Sequence, residues 1–164
     1  LNPNTNMLTY QDTSDTKVVY IKVNIEKIDP VHDICLLKSD KDIFSNICIG
    51  STDDIMVSER LSIVGYPHCT QGRNVLTYQE TTVGAKILIE SSYVKSKHLV
   101  LNIQTRPGQS GSPVFRKTDS KLVAMVIGSY APNSQGAISL GGVDPHTLHQ
   151  TTHAVSTEYI LKML

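Results

Sequence analysis

Ten residues in the second half of the chain, Arg106-Pro107-Gly108-Gln109-Ser110-Gly111-Ser112-Pro113-Val114-Phe115, carry the residue types that acyl transfer needs. Glycine stands two positions before Ser110 and again one position after it. Such spacing lets a backbone expose one hydroxyl on a tight turn and aim amides at a developing oxyanion. With Ser110 as nucleophile, the amides of Gly108 and Ser110 form the natural pair of oxyanion donors. The same composition also suits a plain surface loop between two strands.

A serine hydroxyl is a poor nucleophile at neutral pH and needs a base. No histidine precedes His32, and His32 adjoins Asp33, so on an extended strand their side chains point to opposite faces. His68 follows Gly65-Tyr66-Pro67 in a turn and reads as a surface residue. His98 opens a strand and reads as a half-exposed structural position. His146, His149 and His153 have no carboxylate or thiolate at ligand spacing, and no metal or other cofactor is expected.

The elements that must position these residues read as short strands between turn signals. Apolar residues alternate over Val18–Ile28, predicting a half-buried strand, and Asp29-Pro30 ends it. A second strand follows over Asp33–Lys38, then a polar connection to Glu59. Further strands are expected at Leu61–Gly65, Val75–Glu80, Thr82–Glu90 and His98–Ile103. Ser112–Arg116 and Lys121–Ile127 read as a hairpin turned at Thr118-Asp119-Ser120. Residues 128–152, rich in Gly, Ser, Asn, Pro and His, read as a long loop, and Glu158–Leu164 as a short terminal helix. Many short strands point to an all-β barrel or sandwich.

Bulk properties restrict the partners. The chain has 164 residues, enough to bury a sizeable core, and its 15 basic and 15 acidic residues cancel. Nothing in that balance steers it to nucleic acid, and no apolar run is long enough to span a bilayer. Cys35, Cys48 and Cys69 cannot all pair within one chain and lack metal spacing. Cys35 reads as a buried thiol, and free thiols lean towards a reducing compartment without fixing the location. Leu1 is an unusual first residue, which suggests a processed or truncated product.

Several of these segments together resemble the trypsin-like serine peptidases of chymotrypsin fold. The likeness is strongest to the disulfide-poor glutamyl endopeptidase and HtrA-type branches. Gly108-Gln109-Ser110-Gly111-Ser112-Pro113 is similar to the nucleophile loop, and Asp33-Ile34-Cys35-Leu36-Leu37-Lys38 to the segment around the triad aspartate. Leu61–Pro67, Leu122–Gly128 and His153-Ala154-Val155 are weaker matches in the right order. The resemblance implies a double six-stranded antiparallel β-barrel whose first barrel is incomplete in this chain. Residues 1–60 then hold the remainder of the N-terminal barrel and the connection, and residues 61–164 the second barrel, the nucleophile loop and the terminal helix. It also implies catalysis by Ser110 and Asp33. The primary specificity pocket falls at Thr105, Val126, Ile127, Gly128 and His153. Glutamyl endopeptidases carry a histidine where this chain has Val126, so the resemblance does not extend to glutamate preference.

The family's histidine lies well upstream of its aspartate, a region with no histidine here. The simplest expectation is a missing N-terminal segment that completes the barrel and supplies the base. Residues 1–164 alone are then an incomplete and poorly stable hydrolase acting on protein or peptide substrates. Two alternatives remain open: a pseudoprotease kept as a peptide-binding module, and an unrelated β-barrel with an accidental serine loop.

Overall fold

The computed structural model describes residues 9–11, 13–17, 19–91, 93–130 and 151–164. Among the described residues eight strands form: β1 (Val23–Asp29), β2 (Ile34–Ser39), β3 (Arg60–Gly65), β4 (Thr77–Ser91), β5 (Val94–Leu101), β6 (Pro113–Arg116), β7 (Leu122–Tyr130) and β8 (Thr151–Ser156). A short α-helix, α1 (Glu158–Leu161), follows β8. β1 and β2 pair as a two-stranded antiparallel sheet, while the other six close a barrel in the order β3-β4-β5-β8-β7-β6. The all-β, chymotrypsin-like architecture expected from the sequence is therefore present, with one closed six-stranded barrel.

Period-two alternation sorts the apolar residues into two cores. Leu61, Ile63, Leu99, Leu101, Val114, Val126 and Ala154 belong to the core that fills the barrel. Alternate residues of β7 and β8, Met125, Ile127 and Val155, join the second core instead, with Ile34 and Leu36 of β2 and Tyr159, Ile160 and Met163 at the C-terminus. The β1–β2 sheet thus docks against the barrel wall and α1, and Lys27 Nζ donates to the Met163 carbonyl at 2.5 Å.

Several elements differ from the sequence expectation. Val75–Glu80 and Thr82–Glu90 are one strand of 15 residues, because β4 pairs with β3 through Thr77–Thr82 and then with β5 from Val83 onwards. A bulge between Val83 and Ala85 marks the transfer. β1 begins at Val23, and its alternation buries neither face: Ile25 and Ile28 are each 64% exposed. Cys35 is exposed on β2 rather than buried, since Ile34 and Leu36 take the docked side. His98 is buried, not half-exposed; it lies where β5 pairs with β8, opposite Val155, and its Nε2 hydrogen-bonds Ser96 Oγ. Residues 128–130 and 151–152, expected in a loop, are instead strand residues of β7 and β8, and the remainder of that expected loop lies outside the described residues. His146 and His149 lie outside the described residues. The helix ends at Leu161, short of the expected Leu164.

Candidate active site around Ser110

Between β5 and β6 the chain crosses the end of the barrel, because these two strands are not neighbours in the closed order. Arg106-Pro107-Gly108-Gln109 form a β-turn closed by Gln109 N donating to Arg106 O at 3.1 Å. Proline second and a glycine third with φ +90° match what a type II turn requires. A second turn follows, with Ser112 N donating to Gln109 O at 3.0 Å and Gly111 at φ +86°.

Buried contacts fix both turns. The Gln109 side chain is 1% exposed; its Oε1 accepts from Arg106 N at 2.6 Å, and its Nε2 donates to Gln79 Oε1 on β4 at 2.7 Å. Gly111 N donates to Val126 O at 2.7 Å, and Val126 N to Ser112 O at 2.9 Å, tying the loop to β7. Gly65 allows Ser112 to sit against β3, where a Cβ would meet Ser112 Oγ at 2.0 Å. Gly108 is also closely packed, since a Cβ there would meet Cys69 Sγ at 2.7 Å and the Tyr66 carbonyl at 3.1 Å.

The outcome is an exposed Ser110 whose Oγ donates to the Ile127 carbonyl at 3.2 Å. Among the described residues, the amides of Gly108 and Ser110 have no hydrogen-bond acceptor. They are free to receive an anionic oxygen, as two oxyanion donors must be. Beside Ser110 lies a cleft of about 150 Å³ lined by Thr105, Arg106, Pro107, Gly128 and Ser129. Its wall is rigid: Thr152 Oγ1 accepts from Thr105 N at 3.0 Å and donates to Ile103 O at 2.6 Å.

The other candidate residues are placed as follows. Val126 is fully buried in the barrel core, and its amide and carbonyl are both spent on the loop. Ile127 offers its carbonyl to Ser110 and its side chain to the second core. His153 is half-buried opposite Gly128 on β8, does not line the cleft, and has its pKa lowered by burial. Asp33 lies exposed in the β1–β2 turn at φ +56°.

The aspartate–histidine contact in this region is a different one. His32 Nδ1 meets Asp29 Oδ2 at 2.6 Å, and the imidazole stacks on Tyr159 at 3.8 Å. Partial burial raises the Asp29 pKa, but hydrogen bonds from the His32 side chain and backbone outweigh it and hold the carboxyl below its ordinary value. The Asp29-to-His32 spacing was the sequence signal for this pair, obscured by the adjacency of His32 and Asp33. Among the described residues no histidine hydrogen-bonds Ser110. Gln79, Thr152 and Leu76 also border or brace the site without any local motif to mark them, and Tyr66 does so from within Gly65-Tyr66-Pro67.

Residues 6–125 match the family profile of the trypsin-like peptidase domain. Among solved structures, the apo MamO protease domain from Magnetospirillum magneticum superimposes with a TM-score of 0.59 at 15% identity, covering 87% of this chain and 67% of that one. The HtrA-type protease AlgW, solved with a decapeptide, superimposes with a TM-score of 0.61 at 16% identity, covering 86% of this chain and 38% of that one. A sequence comparison with curated proteins finds no match. The fold likeness and the profile match over most of the chain agree: this chain belongs to the trypsin-like peptidase domain family.

Proposed function

We propose that this chain carries the nucleophile, oxyanion donors and primary pocket of a serine endopeptidase. Ser110 Oγ attacks the scissile carbonyl carbon while its proton passes to a histidine base, and the amides of Gly108 and Ser110 receive the oxyanion. The C–N bond then breaks, the amine leaves with that proton, and water releases the acyl group from Ser110. The base comes from a segment outside residues 1–164, and Asp33 orients it. One observation carries this reading: an exposed serine between two glycines at positive φ, with two acceptor-free amides and a cleft alongside. The bare apolar side chains of the two-stranded sheet, including Ile25 and Leu37, support a further segment packing there.

A fluorophosphonate tests the proposal by intact mass. The full polypeptide containing this domain gains one adduct, Ser110→Ala gains none, and residues 1–164 alone gain none. A second reading, a peptide-binding module that has lost its base, is favoured by the bond from Ser110 to Ile127 O in place of a histidine. Absence of an adduct on the full polypeptide, with peptide binding retained, selects that reading.

A further inference from the structure

Ser110 borders two cavities, and their linings differ in chemistry. On the Thr105 side the cleft is polar and holds Arg106 and Ser129. Across Ser110 lies a wider cleft of about 300 Å³, with Val64, Tyr66, Leu76 and Pro113 among its walls and no charged residue. Tyr66 and Leu76 are large apolar side chains left 46% and 42% exposed. Both side chains and Gly108 also line a larger groove of about 530 Å³ that runs on to Tyr10 and Tyr20.

We propose that the cleft at Tyr66, Leu76 and Pro113 is a subsite for a bulky apolar side chain, aliphatic or aromatic, in the leaving-group half of a peptide substrate. This rests on the serine endopeptidase reading. A peptide whose carbonyl sits over the Gly108 and Ser110 amides, with its acyl side chain in the Thr105 cleft, must leave Ser110 on the opposite side. There its next residues meet Tyr66 and Leu76, and exposed apolar surface that adjoins a reacting atom marks a ligand groove. A charged side chain would lose its hydration in this cleft without gaining a partner. The occupant is therefore the substrate's own first or second residue after the cleaved bond.

The test uses the full polypeptide, with fluorophosphonate labelling confirming a competent serine. A random peptide library supplies the best acyl half. Peptides with that acyl half and either Leu or Asp after the cleaved bond then compete in one mixture, so the ratio of kcat/KM values is independent of enzyme concentration. The wild type is expected to favour Leu by roughly 10- to 200-fold, the discrimination an apolar pocket gives. Leu76→Asp is expected to abolish that ratio, with Leu76→Ala as the milder variant should the charged one fail to fold. Cleavage with no preference between Leu and Asp, or a preference unchanged in Leu76→Ala and Tyr66→Ala, would overturn the subsite. If the wild type neither labels nor cleaves any peptide, the peptidase reading itself fails and takes the subsite with it.

Discussion

Gln109, the residue before the candidate nucleophile, is anchored to Gln79 on β4 by an Nε2-to-Oε1 hydrogen bond of 2.7 Å. The position of Ser110 is thereby set by a strand on the far side of the loop. Gln109 is almost wholly buried, so removing its acceptor leaves an amide donor without water or partner. Gln79→Leu is expected to destabilise the fold by about 1–3 kcal/mol and to slow fluorophosphonate labelling of Ser110. Gln79→Glu keeps an acceptor and is expected to restore the labelling rate. Urea unfolding and labelling kinetics check the two effects separately.

Gly65 and Ser112 are in closer contact than any Cβ permits. Gly65→Ala forces Ser112 away and with it the bonds joining Ser112 to Gln109 and Val126. A cost of about 1–3 kcal/mol is expected from this overpacking. The double variant Gly65→Ala, Ser112→Gly is expected to recover most of the loss, because it removes the colliding atoms. Thermal unfolding of the single and double variants decides it.

Thr152 accepts from the Thr105 amide and donates to the Ile103 carbonyl with a single hydroxyl that is fully buried. Thr152→Val keeps the shape and removes both bonds, leaving the Thr105 amide unsatisfied. The expected loss is about 1–3 kcal/mol in urea unfolding. Thr152→Ser keeps the hydroxyl and is expected to lose less.

His98 governs part of the response to acid. Burial, then the neighbouring imidazoles of His153 and His32, hold its pKa down to about 4 from an ordinary 6.5. Its Nε2 pairs with Ser96 Oγ at 2.8 Å, while its Nδ1 is buried with no hydrogen-bond partner among the described residues. Between these two pKa values the unfolded chain binds the proton and the folded chain does not. Stability is therefore complete above the unfolded value and falls as the pH drops towards 4. Going from pH 7.5 to 5 is expected to cost about 2 kcal/mol through this residue. His98→Leu is expected to flatten that dependence in urea unfolding, whereas an equal slope in the variant would assign it to other groups.

The strands were legible where a short apolar run is bounded by turn residues, as in β3 and β7. The sequence pattern divides β4 into two pieces because Glu80-Thr81-Thr82 interrupts the apolar residues. The backbone runs straight through, since its hydrogen bonds pass from β3 to β5 at that point. The glycine spacing around Ser110 was visible because turn geometry is encoded in neighbouring residues. Gln79 was not visible, since its contact with Gln109 joins residues 30 apart and depends on barrel closure. The exposure of Cys35 likewise depends on which face of β2 docks, a choice made by Tyr159 and Met163 far along the chain.

The crossover from β5 to β6 passes the ends of β8 and β7 and is anchored at both sides to a closed ring of strands. Its length is consequently set by the circumference it must travel. Adding or deleting a residue between Leu101 and Pro113 would shift Ser110 along the rim relative to Ile127 and the Thr105 wall. Lineages that descend from this chain can diversify by exchanging side chains along the rim, while the spacing of the crossover stays fixed.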